Sequence, residues 1–389
     1  MTDRATSPPA AGRGTAVGRS LASAGRLDEA LSVLVEAAAA NPADVEAHLA
    51  IYEVAQILRR PELALEHQRR AIALAPIHST FAPREDYALL VPCVPGPFTA
   101  NTPVDLLFDP DRVTLHRWYV DDPAAAIPPL PRHDAIFVAA GESTAAQPAL
   151  AMLAALTDRA SVPVINRPGA IARLGRVDFA RTFSRARHCR VARTLRVLRA
   201  TYEAEGFALP HIVRPVDSHG GYGLAKVETD DDRGAFLAAT SAQELYVSDF
   251  VDYRSADGFF RKYRILFVDG EPWAFHLAIS PHWMVHYYNS PMVENQWMRD
   301  EERAFLDDIG GVFNGELADA LQEASRLLPL EYVGIDCAID RDGKLLLFEA
   351  DNALIVHQLD DPALFGYKHA HVPRIKAAID AMVRRRIAR

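Results

Sequence analysis

The spacing of apolar positions changes character along this chain. From 15 to 78 it carries a repeat. Ala30-Leu31 returns as Ala64-Leu65, Ala37 as Ala71, Ala39 as Ala73 and Pro42 as Pro76, each 34 residues on. That period predicts stacked helix–turn–helix units, with small residues letting helices pack closely and a proline closing each second helix. Gly25 stands at the expected inter-helix turn, and its counterpart is Arg59. About two units are visible where three normally stand alone, so the segment is expected to pack on the rest of the chain or on a partner.

From about 84, short apolar runs alternate with helical stretches. Strands are predicted at 87–94, 113–120, 134–139 and 162–166, and 145–156 is helical in composition. This alternation predicts a small parallel α/β layer. The Pro-rich stretch 122–132 connects its parts, and 167–210 is Arg-rich with helical patterning. A short strand at 212–215 leads into Val216-Asp217-Ser218-His219-Gly220-Gly221-Tyr222-Gly223-Leu224. Strands follow at 245–251 and 263–268, the latter turning at Asp269-Gly270 into 273–279. Helices are predicted at 315–328 and 372–386.

Between those helices, 332–357 reads as two strands joined at Asp342-Gly343, the strongest short hairpin signal. A two-residue loop sets Arg341 opposite Lys344, Asp340 opposite Leu345 and Asp336 opposite Glu349. Asp351 shares the face of Glu349 through the pleat. Val333, Ile335, Cys337 and Ile339, with Leu346 and Phe348, make the opposite face apolar. Like charges paired across strands are destabilising. A cation between them, most simply Mg²⁺, resolves the conflict. The competing arrangement turns Asp336 to solvent in another register.

Composition sets wider bounds. With 389 residues, 49% of them hydrophobic, there is room for two or three domains. A net charge of −9 disfavours nucleic-acid and anionic-membrane partners. The closing Arg384, Arg385, Arg386 and Arg389 read as a solvated helix end. Cys93, Cys189 and Cys337 form no CxxC pattern, which points away from disulfide and zinc frameworks and fits a reducing cytosol. The first 14 residues are rich in Pro, Ala, Gly, Ser and Thr and read as a disordered tail. No signal-peptide core and no run of 18 apolar residues is present, so a soluble, cytoplasmic protein is expected. The glycines at 220, 221 and 223 suit a loop whose backbone amides approach phosphate oxygens, and equally a glycine-rich hairpin turn. No Walker A lysine follows. His282 and His286 are four apart but lie in what reads as a loop before Asn289-Ser290-Pro291, without the helix and third ligand that a zinc site at that spacing wants.

Five segments taken in order and spacing carry a resemblance. They are V-I-N-R-P at 164–168, I-V-R-P-V-D-S-H-G-G-Y-G at 212–223, L-Y-V-S-D-F-V at 245–251, R-I-L-F-V-D-G-E-P at 264–272, and G-I-D with F-E-A-D-N within 334–352. Together they resemble the ATP-grasp superfamily, specifically ligases like prokaryotic glutathione synthetase and the ribosomal-protein glutamate ligases. The 34-residue repeat resembles tetratricopeptide repeats. The resemblance implies an α/β chain of the α+β ATP-grasp fold, with three subdomains at 84–170, 171–250 and 251–389. A short all-α repeat segment at 15–80 precedes them. It implies that Asp336, Glu349 and Asp351 hold two Mg²⁺ ions bridging ATP phosphates, and that Arg264 stabilises charge at the reacting centre. Arg214, Ser218, His219, Gly220 and Gly221 fall in the strand and flap over the phosphates. Asp249, Val251 and Asp252 fall in the adenine and ribose region. His282, Tyr287 and Asn352 are candidate substrate contacts.

The chain also departs from the pattern. Arg214 stands where the family usually has lysine, and a guanidinium is not a neutral replacement. The other usual lysine is missing, with Arg176 or Arg181 the available stand-ins. Glu349 is followed by Ala350-Asp351-Asn352 without the family's proline. The implied function is an ATP-dependent carboxylate–amine ligase working through an acyl phosphate and releasing ADP and phosphate. Its substrate is expected to be a peptide or protein docked by the repeats. The alternatives are a ligase for a small-molecule carboxylate and amine, with the helical segment used for a homodimer, and a nucleotide-binding adaptor without turnover.

Overall fold

The 34-residue repeat folds as two helical hairpins: α1 (Ala10–Ser23) with α2 (Leu27–Ala40), and α3 (Val45–Ile57) with α4 (Pro61–Leu74). Both ends of α4 fall 34 positions after those of α2, so the sequence period is a structural period. Ala30 and Ala64 are fully buried, and Gly18 lets α1 approach α2 so closely that a Cβ there would lie 2.4 Å from Leu34 Cγ. Asp44 caps α3 by accepting the Ala47 amide at 3.0 Å, and Thr15 of α1 donates its hydroxyl to the same carboxylate at 2.8 Å. Each hairpin turns through a left-handed residue, Gly25 at φ 76° and Arg59 at φ 57°. Glycine takes that conformation freely, whereas arginine carries a steric cost there.

In this computed structural model, which describes residues 10–216, 218, 221–286, 289–358 and 360–388, the hairpins do not stand alone. They belong to a compact unit running to Pro103 and including Asp109–Ala140. Within it the Tyr52 hydroxyl donates to the Gly96 carbonyl at 2.9 Å, and the Gly96 amide donates to Gln68 Oε1 at 2.9 Å. The unit's strands are β1 (Ile77–Thr80), β2 (Tyr87–Cys93), β3 (Val113–Tyr119) and β4 (Ala135–Phe137). They lie in the order β1-β3-β2-β4, with β2 parallel to both β3 and β4 and β1 antiparallel to β3. Strand β2 is buried along its whole length, as expected of a continuous apolar run at the centre of a parallel layer.

The second unit takes Val104–Phe108 and the described residues from Gly141 on. Its strands are β5 (Val164–Ile165), β6 (Cys189–Val191), β7 (Thr194–Leu198), β8 (His211–Pro215), β9 (Ala225–Val227), β10 (Glu244–Asp249), β11 (Phe260–Val268), β12 (Glu271–Ser280), β13 (Tyr332–Ile339) and β14 (Leu345–Asp351). An antiparallel sheet β7-β10-β8-β9 closes over Tyr202, Val213, Phe236 and Leu245. A second sheet runs β12-β11-β13-β14-β6, antiparallel except where β14 meets β6. On one of its faces Tyr263 packs edge-on to Phe305 and Phe313 at 5.0 and 5.2 Å. The other face carries a polar cluster that includes Lys262, Arg264 and Asp336. The fold is therefore α/β, preceded by an all-helical segment.

Two stretches differ from expectation. The helical patterning at 167–210 is realised only as the short helices Pro168–Ile171, Arg176–Thr182 and Arg199–Ala204. Between them β6 and β7 are drawn into strands by pairing with β14 and β10, partners distant in sequence. The closing helix, His371–Ile387, ends in more than a solvated basic run. Arg385 and Arg386 donate to Asp269 at 3.0 and 2.7 Å, pinning the helix to the β11–β12 turn. Among the described residues no helix is long and apolar enough to cross a membrane.

Two outcomes follow for the helical hairpins. Arg59→Gly relieves the left-handed strain and raises the unit's unfolding free energy by about 0.5–1 kcal/mol in urea titrations. The second concerns His67, buried beside His48 with their Nδ1 atoms 2.8 Å apart, while His48 Nε2 lies 3.0 Å from the Pro42 carbonyl. A carbonyl only accepts, so His48 donates from Nε2 and His67 donates from Nδ1. Burial, with His48 next, holds His67 down to about 4. The unfolded chain then binds this proton more tightly. The stability of the neutral pair is full above about pH 6.5 and is lost as pH falls toward 4. Hydrogen exchange of α2–α4 should show up to about 3 kcal/mol of such loss, absent in His67→Gln.

Candidate active site

The hairpin β13–β14 turns differently from the two-residue loop its sequence suggests. Ile339 pairs with Leu345, the Gly343 amide donates to the Asp340 carbonyl at 3.0 Å, and Gly343 takes φ 76°. This is the longer loop in which a type I turn is followed by a left-handed glycine. Asp340 is the reason. Its buried carboxylate accepts the amides of Asp342 and Lys344 at 2.9 Å each, and Arg190 at 2.7 Å. The pairings expected near the tip are therefore shifted by one residue. Leu346 comes to lie across from Ala338 and packs with Phe260, Ala278 and partly buried Phe348, not behind the carboxylates. Phe348 then bulges out of the ladder between Cys337↔Leu347 and Asp336↔Glu349. The bulge restores the predicted opposition of Asp336 and Glu349.

The cations that this opposition calls for come from the chain. Strand β11 sets Arg264 opposite Asp336, and its guanidinium forks onto the carboxylate, Nε to Oδ1 at 2.7 Å and Nη2 to Oδ2 at 3.0 Å. Lys262, two residues earlier on the same face, reaches Oδ2 at 2.9 Å. Arg176, at the start of its helix, pairs closely with Glu349. Burial pushes Asp336 upward, but Arg264 and Lys262 outweigh it and hold the carboxyl well below the usual range. Glu349 is likewise lowered against burial, chiefly by Arg176. Asp351 differs. Among the described residues its carboxylate accepts one hydrogen bond, from the Ala353 amide at 2.7 Å, and burial with Glu349 nearby raises its pKa to about 6. No three His, Cys, Asp or Glu side chains among the described residues are arranged to hold a metal ion, so Asp336, Glu349 and Asp351 do not form a ready-made cage. Side-chain cations have taken up much of their charge.

Arg214, on β8, is 8% exposed and turns toward the glycine-bearing segment. It donates through Nε to Ser218 Oγ at 2.9 Å and also to the Ser218 carbonyl. Burial, then the neighbouring Arg176, lowers its pKa to about 10, with Glu349 opposing. Arg176 is thus beside this site, while Arg181 pairs with Asp178 on the surface. Gly221 and Gly223 are left-handed, and a Cβ on Gly223 would lie 2.9 Å from Pro215. His219, Gly220 and Tyr287 lie outside the described residues. Val251 packs on the apolar cluster of Tyr253, Phe260, Val285 and Leu346, with Trp283 alongside. Asp252 pairs with Arg341 at 2.8 Å, whereas Asp249 is exposed, 3.9 Å from Arg193. Asn352 is fully buried. His282 is exposed. His286 is half-buried and feels Lys262, Arg264, Asp336 and Glu349.

Two groups escaped the sequence. Lys262 was visible through the period-2 alternation that puts it on the face of Arg264. The other is a buried network behind Arg264, which pairs across strands with His276. Glu302 accepts from His276 Nδ1 at 2.5 Å, from Lys368 at 3.2 Å and from the Tyr367 hydroxyl. Burial pushes Glu302 up, yet His276 and Lys368 outweigh it and hold it at about 2. Its members sit on separate elements, so no local motif announces it.

No family model matches the chain, and no curated protein matches it. Among solved structures it is similar to D-alanine–D-alanine ligase from Bacillus anthracis complexed with ATP, at 12% identity and TM-score 0.47, covering 78% of this chain and 98% of that one. It is also similar to a RimK domain protein ATP-grasp from Sphaerobacter thermophilus, at 16% identity and TM-score 0.40, covering 69% and 90%. A third is the VanG D-Ala:D-Ser ligase from Enterococcus faecalis, at 12% identity and TM-score 0.46, covering 77% and 99%.

The raised pKa of Asp351 sets a sign for stability. Its charged form is disfavoured in the fold, so the carboxylate costs stability above about pH 6, and the cost disappears as pH falls toward 4. Asp351→Asn keeps an oxygen for the Ala353 amide and removes the charge. Without ligand it should be more stable than the parent by about 1–2 kcal/mol at pH 7.5 and equal to it near pH 4, read from urea midpoints.

Proposed function

We propose that this chain is an ATP-dependent carboxylate–amine ligase of the ATP-grasp kind. The observation that carries the proposal is one sheet face. It gathers Lys262 and Arg264 with Asp336, Glu349 and Asp351, and Arg176 and Arg214 interact with it. Three carboxylates held among four permanent or near-permanent cations suit a polyphosphate arriving with its own cation better than a bare ion. The residues fit Mg²⁺ on those terms, because it is usually held by one or two carboxylates together with substrate phosphates. Asp351, with Glu349 beside it, would hold it, and the ion would neutralise phosphate charge. The order of motifs from 164 to 352 supports the same reading.

Each residue then has a task in this proposal. Arg264, fixed by its fork on Asp336, presents its charge where negative charge builds during phosphoryl transfer to a carboxylate. Arg214 anchors Ser218 and so sets this end of the glycine-bearing segment toward the phosphates. Val251 and its apolar neighbours take the adenine, with Asp252 toward the ribose. The helical hairpins, read as tetratricopeptide-like, dock a peptide or protein through exposed apolar positions such as Val35 and Ile57. A second reading, a nucleotide-binding adaptor without turnover, is favoured by the chain-supplied cations already on Asp336 and Glu349.

With Mg²⁺ and ATP, peptide and amine candidates should yield a new amide by mass spectrometry, with equimolar ADP and phosphate. Arg264→Gln should lower kcat by about 10²–10³-fold, and Val35→Asp with Ile57→Asp should raise KM for the peptide and leave that for ATP unchanged. Nucleotide binding with no turnover on any acceptor would support the adaptor instead.

A further inference from the structure

A second cation position in this site is already filled by the protein. Lys262 Nζ lies 2.9 Å from Asp336 Oδ2, and the two side chains are 16% and 3% exposed. Arg264 occupies both oxygens of the same carboxylate, at 2.7 and 3.0 Å. A carboxylate offers about four lone-pair directions, and three are taken here. Strand register holds this arrangement, because Asp336 faces Glu349 on one side and Arg264 on the other. The ammonium of Lys262 also acts on Glu349, so its charge serves the carboxylate pair and not one member alone.

Resting on the nucleotide reading above, we infer that Lys262 takes the place of one divalent cation at Asp336, so that ATP is bound with a single metal ion. Mg²⁺ demands near-ideal octahedral geometry and sheds water reluctantly. To reach Asp336 Oδ2 it must displace Lys262, leaving a buried ammonium without its partner, which is strongly unfavourable. Nothing comparable guards Asp351, whose carboxylate accepts a single hydrogen bond among the described residues, from the Ala353 amide. One metal position is therefore open at the end of β14, and the other is closed by a side chain.

Manganese separates these cases, because free and bound Mn²⁺ are counted directly by electron paramagnetic resonance. The full-length protein is saturated with the non-hydrolysable analogue AMP-PNP, whose binding is measured independently by calorimetry. The expected result is one tightly held Mn²⁺ per chain in the parent and in Lys262→Arg, and two in Lys262→Met. Two ions in the parent, or one in Lys262→Met that still binds AMP-PNP, would overturn the inference and leave the nucleotide reading standing. Failure of the parent to bind AMP-PNP at all would overturn the nucleotide reading, and this inference with it.

Discussion

The structure of the second unit turns on one buried interaction, the fork of Arg264 on Asp336 across β11 and β13 with Lys262 as a third arm. Asp336 cannot be left alone, because an unpaired carboxylate this deep costs several kcal/mol. It also cannot be paired only with what faces it on β14, since that is Glu349. The sheet therefore has to deliver cations from the far side, and the register of β11 does so. Arg176 performs the same service for Glu349 from a helix. Charge compensation thus joins four elements, β11, β13, β14 and the helix of Arg176, that backbone pairing alone would join only in part.

The same constraint explains an irregularity in the hairpin. Asp340 draws the turn into a longer loop by capping the amides of Asp342 and Lys344. Uncorrected, that one-residue slip would carry Glu349 to the other face, because side chains alternate with period 2. The Phe348 bulge absorbs the slip. It also brings Leu346 and Phe348 onto the site face, where they extend an apolar surface toward Val251 and Trp283. The face therefore has one polar end and one apolar end.

Much of this could be read before the fold was known, and the limits have physical causes. The 34-residue period and the buried run of β2 follow from local patterns that tertiary structure had no reason to override, whereas the opposition of Asp336 to Glu349 is kept through the Phe348 bulge and not through the two-residue turn that predicts it. The tip register was misjudged because the turn dipeptide signals a loop but not its length, which a side chain three residues from Gly343 decides. Strands β6 and β7 were hidden because short, arginine-bearing segments carry little periodicity, and partners elsewhere set their state. The Glu302 network was invisible for a stronger reason: His276, Glu302, Tyr367 and Lys368 belong to a strand, two helical segments and no common motif. The cation demand was legible, but its source was not. A sequence shows that two carboxylates need positive charge long before it shows whether an ion or a side chain supplies it.

That distinction bears on how the site is kept ready. A site neutralised only by metal is loose until the ion arrives, because its carboxylates repel one another. Here Asp336 and Glu349 are held by guanidinium and ammonium groups, and Arg264 is in turn locked by Asp336. In the ligase we propose, donors fixed before the ligand enters would need no reorganisation at the moment of reaction, which is where electrostatic catalysis gains most. Asp351 is the exception, left with a raised pKa and one amide hydrogen bond. Among these three carboxylates the fold therefore concentrates its unrelieved charge on Asp351, and positive charge placed beside that carboxylate would offset the cost of burying it.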